Sequence, residues 1–240
     1  MITELRERTR IRVGRHPSLF FAIYGVRSGY REMLVSRQTR LVIEGFPRSG
    51  NTFAVFAFRQ AQEVPVRIAH HLHAPAQVIR ASRLGIPALV LIRNPMDAVV
   101  SLMLREPRFS AGMALSYYIS FYEAVAGFRD SYVLGTFEEV TRDYGSVIER
   151  VNDRFDTSFG VFEHTGETVK DVFARIEEAH RAKRNSVLVE EKVARPSATK
   201  AGLKAGLRKE LARDPALEPL VERARAVYGE LVSGRTVPAL

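Results

Sequence analysis

From residue 41 onward, short apolar runs alternate with longer amphipathic stretches, and that alternation confines the chain to an α/β architecture built on a parallel sheet. Leu41–Gly45 (LVIEG), Pro87–Ile92 (PALVLI) and Tyr132–Phe137 (YVLGTF) place apolar side chains at successive positions, as a strand covered on both faces requires. Val66–Ala69 is a shorter candidate of the same kind. Residues 51–63 carry Phe53, Phe56, Ala57 and Gln60 at helical spacing, and 74–84 opens on Pro75. Residues 96–105 follow Asn94-Pro95, where Asn suits a cap and Pro the first helical position. Residues 138–155 are expected to start as a turn and continue as helix, and 168–183, 198–212 and 215–232 read as helices. The last repeats Leu217, Leu220, Val221, Ala224, Val227, Tyr228 and Leu231 at helical spacing. The expected fold is three-layered, with a parallel sheet of about four to five strands flanked by helices and a helical C-terminal third. No internal repeat or Gly/Pro/Ser-rich linker divides the 240 residues, which suit one domain; residues 1–38 read as helical decoration and 141–240 as mostly helical.

Composition removes whole classes. The chain has no cysteine, so disulfides, thiolate catalysis and Cys-ligated metals are out. Hydrophobic residues at 46% and charged ones at 26% exclude a disordered chain. The opening MITELRERTRIRVGR holds no apolar run fit for a signal peptide, and Ser18–Val26 is too short to cross a bilayer. Phe109–Phe128 (FSAGMALSYYISFYEAVAGF) carries one charge, Glu123, but mixes serines and tyrosines among its apolar residues; it is expected as a buried core helix, not a membrane span. The expected location is cytoplasmic. Lys+Arg exceed Asp+Glu by 36 to 27, and the resulting +9 invites an anionic partner without specifying a nucleic acid, a lipid surface or a phosphorylated small molecule. The cations are scattered along the chain, and neither zinc-finger spacing nor an RNA-binding aromatic signature occurs.

The first chemical signal lies between a strand and a helix. Gly45-Phe46-Pro47-Arg48-Ser49-Gly50-Asn51-Thr52 occupies the place of a phosphate-binding loop, where glycines let the backbone curl and the following helix offers unpaired N–H groups and a positive dipole end. The spacing is P-loop-like, G-x-x-x-x-G-[K]-[ST], except that Asn51 stands where a nucleotide triphosphatase needs lysine. The cation of this loop is Arg48, inside the curl.

A second signal ends the next buried strand: Arg93-Asn94-Pro95-Met96-Asp97-Ala98-Val99-Val100-Ser101. Arg93 lies on the sheet edge where open parallel sheets bind ligands, and Ser101 can aim a hydroxyl at the same anion. Asp97 is expected to reach back in capping-box style or to favour the helix dipole. Together, PRSGNT and RNPMDAVVS resemble the sulfotransferase family that uses 3′-phosphoadenosine-5′-phosphosulfate (PAPS), whose loops read Pro-Lys/Arg-Ser-Gly-x-Thr and Arg-[Asn/Asp]-Pro-x-Asp-x-x-x-Ser. The resemblance covers about residues 41–140 and makes 39–140 the donor-binding core. It implies that Pro47, Arg48, Ser49, Gly50, Asn51 and Thr52 wrap the 5′-phosphosulfate, with Arg48 in the place of a catalytic cation, and that Arg93 and Ser101 bind the 3′-phosphate. Phe137-Glu138 falls where many relatives have Tyr-Glu, implying an adenine-side contact for Phe137. The family's late basic loop has no clean copy; Arg195, Ser197, Lys200 and Lys204 are candidates by position and charge.

Ala69-His70-His71-Leu72-His73 follows a candidate strand. The His-x-His spacing, with no Asp, Glu or Cys close by in sequence, speaks against a zinc site. By resemblance to the family's Lys-Thr-His-Leu turn, His71 is the implied catalytic base and His73 the reserve, although Ala69 stands where the family has lysine. An imidazole suits the task, because an acceptor hydroxyl or amine must lose a proton as it attacks. In-line sulfuryl transfer needs no neutralised γ-phosphate, so no metal is expected, and the product is PAP. The acceptor is expected to be a small-molecule, glycan or lipid hydroxyl. A homodimer is admitted by the resemblance alone. The competing readings are a P-loop nucleotide kinase or NTPase, opposed by Asn51, and a basic nucleic-acid or lipid-surface binding module, which leaves Arg48, Arg93 and Ser101 without a role.

Overall fold

The computed structural model describes residues 2–184 and 198–234. Helices α1 (Ile2–Gly14) and α2 (Pro17–Gly25) and a short turn lead to β1 (Leu41–Gly45). There follow α3 (Asn51–Ala61), β2 (Ile68–His70), α4 (Pro75–Leu84), β3 (Ala88–Ile92), α5 (Pro95–Arg105), α6 (Ala111–Ala126) and β4 (Val133–Thr136). Helices α7 (Phe137–Arg142), α8 (Tyr144–Phe155), α9 (Gly166–Arg184), α10 (Ala198–Arg213) and α11 (Glu218–Ser233) complete the order. The expected three-layer α/β architecture is the one found, with a four-stranded sheet ordered β2-β1-β3-β4 and every pairing parallel.

The sheet is buried on both faces because its side chains alternate between two apolar layers. Val42, Val90, Ile92 and Leu134 belong to a core shared with α4, α5, α6 and α11. Leu41, Ile43, Leu89, Leu91 and Val133 belong to a second core under α3, α8 and α9. The α3 crossover moves the chain one way along the sheet, and the α4 and α5–α6 crossovers move it the other. The loops leaving β1 and β3 therefore diverge to opposite faces, which opens a crevice at their carboxyl ends.

Helix α6 lies in the core as its composition implied, with Tyr117, Tyr118, Phe121 and Tyr122 all at most 2% exposed. No helix among the described residues is long and apolar enough to cross a membrane. The strand expected over 132–137 ends earlier, and the turn expected after it is absent. Thr136 forms a capping box with Glu139, so helix begins at Phe137 directly from the strand. Asp143 then breaks the helix and caps the next, accepting the Ser146 N–H at 3.2 Å.

One glycine is dictated by the sheet itself. A Cβ on Gly45 would lie 2.3 Å from the Leu91 carbonyl oxygen of the neighbouring strand. Gly45→Ala should therefore destabilise the protein by about 1–3 kcal/mol, the usual range for overpacking, read as a lowered denaturation midpoint in urea.

Candidate functional site

The loop after β1 takes its shape from its own side chains. Arg48 and Gly50 adopt left-handed φ values of 73° and 93°; a Cβ at Gly50 would sit at ordinary contact distance, 3.5 Å, from the Phe137 ring, so the positive φ, not crowding, calls for glycine there. Asn51, standing where a triphosphatase has lysine, turns inward and donates its Nδ2 to the Phe46 carbonyl at 3.0 Å. Ser49 is fully buried, 3.3 Å from the Tyr122 hydroxyl. The side chains of these two expected ligands thus hold the loop, and what they can offer an anion is backbone N–H at the start of α3. Pro47 and Arg48 are partly exposed, and Thr52 places its hydroxyl 3.2 Å from His71 Nε2.

The two motifs are interlocked. Arg48 Nε donates to Ser101 Oγ at 3.1 Å, and Arg93 Nη1 donates to the Arg48 carbonyl at 3.2 Å. The Arg93 guanidinium lies over the Phe137 ring at 3.8 Å, so this ring supports the cation. Arg93 Nε is buried with no partner among the described residues. Burial, then Arg105 and Arg93, push the Arg48 guanidinium down to about 10 against a partial offset from Glu106. Arg48 remains charged at neutral pH in a place where other cations oppose it, a setting that favours a bound anion. An anionic group of the donor's kind fits this set, since it would meet both the crowded guanidinium of Arg48 and the bare Nε of Arg93. Helix α5 is capped by the Asn94 side chain, which accepts the N–H of Met96 at 3.1 Å and of Asp97 at 3.4 Å. Asp97 instead pairs its carboxylate with Arg208 of α10. Arg195 and Ser197 lie outside the described residues, and Lys200 lies within α10.

The histidines form two systems with different tautomers. Arg59 Nη2 approaches His70 Nε2 at 2.9 Å, and a guanidinium can only donate. His70 therefore carries its proton on Nδ1 and donates it to His71 Nδ1 at 2.7 Å. His71 in turn carries its proton on Nε2, directed at Thr52 Oγ1. Both nitrogens of His71, the implied base, are thus engaged. His73 differs: its Nδ1 lies 2.8 Å from the Gly45 carbonyl, which can only accept, so the lone pair sits on Nε2. Burial drives the His73 imidazole down to about 4; the Gly45 carbonyl opposes the shift, and Arg10, Arg48 and Arg105 reinforce it. No group of three His, Cys, Asp or Glu side chains arranged to hold a metal occurs among the described residues.

Sequence reading missed the groups that hold these loops. Tyr117 donates to the His73 carbonyl at 2.8 Å, Tyr118 to the Arg93 carbonyl at 2.7 Å and Tyr122 to the Leu91 carbonyl at 2.7 Å. One helix thereby ties down the turn after β2 and, twice over, the end of β3. The available signal was three phenols on a nearly uncharged helix, each needing a polar partner once buried. Also missed was Glu44, 0% exposed, whose carboxylate accepts the N–H of Leu72 and of His73 at 2.9 Å each. Helix α1, expected as decoration, sets Arg10 over the Tyr117 ring at 5.3 Å and pairs it with Glu7 at 2.8 Å.

No protein-family model and no curated protein matches the chain. Among solved structures, mouse sulfotransferase SULT7A1 complexed with PAP is similar over 82% of this chain and 92% of that one, with 14% identity and a TM-score of 0.40. A likeness this loose carries no argument about the site.

Folded His73 is protonated only near pH 4, whereas the unfolded residue is protonated near 6.5, so unfolding takes up a proton between these values. The His73 contribution to stability is full above pH 6.5 and is lost as pH falls toward 4. His73→Asn, whose amide can still donate to Gly45, should lose less melting temperature than the wild type between pH 6.5 and 4. Parallel curves for the two proteins would refute the assignment.

Proposed function

We propose that the protein transfers a sulfuryl group from PAPS to an acceptor hydroxyl or amine. The observation that carries this reading is the pair of crossed hydrogen bonds between motifs, Arg48 Nε to Ser101 Oγ and Arg93 Nη1 to the Arg48 carbonyl. Two anion-binding loops at the tips of adjacent strands suit one ligand bearing phosphates at both its 5′ and 3′ positions. The donor, when bound, supplies a sulfuryl group for in-line displacement. Pro47–Thr52 supply the curl for its 5′ end, and Arg93 with Ser101 receives the 3′-phosphate. Arg48 remains charged and stabilises negative charge that grows at the end of β1.

The resemblance assigns proton removal to His71, but the hydrogen-bond pattern favours His73, whose Nε2 lone pair points away from its Gly45 anchor. The low affinity of His73 for a proton keeps it in the basic form at neutral pH, and an anion beside Arg48 and Arg105 would raise that affinity toward the operating range.

PAP should raise the melting temperature in EDTA, with no magnesium present, and labelled PAPS should lose its sulfuryl group to acceptors in cell-extract fractions. Magnesium-dependent ATP hydrolysis with no response to PAP would overturn the proposal. Arg93→Ala should weaken PAP binding roughly tenfold to a hundredfold, the loss of one hydrogen-bonded charge contact, as read by calorimetry. His73→Ala should lower kcat by about 10²–10⁴ while PAP still binds. If His71→Ala suffers that loss and His73→Ala does not, the role returns to His71.

A further inference from the structure

We infer that Glu44 is a positioning residue, its carboxylate setting the place and the tautomer of His73; the catalytic meaning of this role rests on the reading of His73 as the base. Glu44 is the penultimate residue of β1, and the alternation of that strand turns it to the α4–α6 face. Its two oxygens divide the work. Oε1 accepts the Leu72 N–H and Oε2 the His73 N–H, each at 2.9 Å. The segment they hold is unusual, because His71 and His73 both have left-handed φ, 60° and 50°. Such a conformation is unfavourable for a non-glycine residue and persists where its surroundings over-determine it.

Glu44 supplies that determination from one side. Tyr117 supplies it from the other, donating to the His73 carbonyl at 2.8 Å. With the backbone of His73 gripped at both N–H and C=O, the ring is delivered to the Gly45 carbonyl, and that carbonyl fixes the proton on Nδ1. The placement of the carboxylate is itself suggestive. Burial raises the Glu44 carboxyl to about 8 against the pull of its donors, the N–H groups of Leu72, His73 and Gly45 and the Gln77 side chain. The nearest titratable groups are His73, with Nδ1 4.0 Å from Oε2, and Tyr117 on α6. With the His73 imidazole pushed down to about 4 and neutral at pH 7, its approach to Oε2 is not an ion pair there. A buried carboxyl group devoted to two adjacent N–H groups of a strained turn is a costly way to secure folding alone.

The test is nitrogen NMR of ¹⁵N-histidine-labelled protein, which reads the tautomer of His73 without any donor. The wild type should show a single Nδ1–H form. Glu44→Gln, which sets an amide N–H against one of the two backbone donors, should show a mixture of both forms. Glu44→Asp, one methylene shorter, should show the same mixture and stands in if the glutamine variant fails to fold. Turnover should fall about 10²-fold in either variant, as for a reacting group displaced by an ångström, with PAP affinity unchanged. An unaltered Nδ1–H signal in a folded variant overturns the inference. Turnover that survives His73→Ala overturns the assignment of the base, and the NMR result still decides the role of Glu44.

Discussion

Arg48 and Arg93 are like charges, and the fold presses them together at the tips of β1 and β3. The approach is possible because residue 45 has no side chain to strike Leu91 of the adjacent strand. The pair avoids direct conflict by an indirect contact. One guanidinium bonds a serine of the other motif, and the second bonds the carbonyl of the first arginine. What stays unbalanced is charge. Arg48 lies half-buried beside Arg93 and Arg105, and Arg93 keeps a bare Nε over an aromatic ring. A positive centre of this kind is most stable with an anion between its members, and the rest of the site is arranged around that demand.

The supports for this centre are polar groups in otherwise apolar layers. Tyr117 reaches from α6 to the turn after β2 and Tyr118 and Tyr122 to the end of β3, Asn51 and Ser49 close the first loop from within, and Glu44 holds the histidine turn. Buried polar atoms are costly unless bonded, so each such residue ties one loop to one place. Each loop is thereby fastened by side-chain bonds close to where the two motifs meet.

Local pattern carried much of the fold. The strands at 41–45 and 88–92 and the helices on either side were visible because their apolar periods and caps lie within a few residues of one another. The candidate anion loop was visible for the same reason, since its glycines, Arg48 and the helix start are contiguous. Phe137 was misplaced because Thr136 and Glu139 cap a helix where strand hydrophobicity alone suggested continuation. Asp97 stands in the first turn of α5, as the helix dipole favours, but the partner of its carboxylate, Arg208, lies more than a hundred residues away in sequence.

Order along the chain thus settled which segments are strands, which are helices and which turn carries the glycines, arginine and helix start of an anion-loop pattern, because those properties arise from neighbours in sequence. Only packing decided which imidazole keeps an open lone pair, which phenols anchor which strand ends, and that Glu44 faces the histidine turn and not solvent. Each of those outcomes depends on hydrogen bonds between residues distant in sequence, such as Thr52 with His71, 19 positions apart, Glu44 with His73, 29 apart, and Tyr117 with His73, 44 apart. No local preference encodes such a pairing; it exists once the sheet has brought the strand ends side by side.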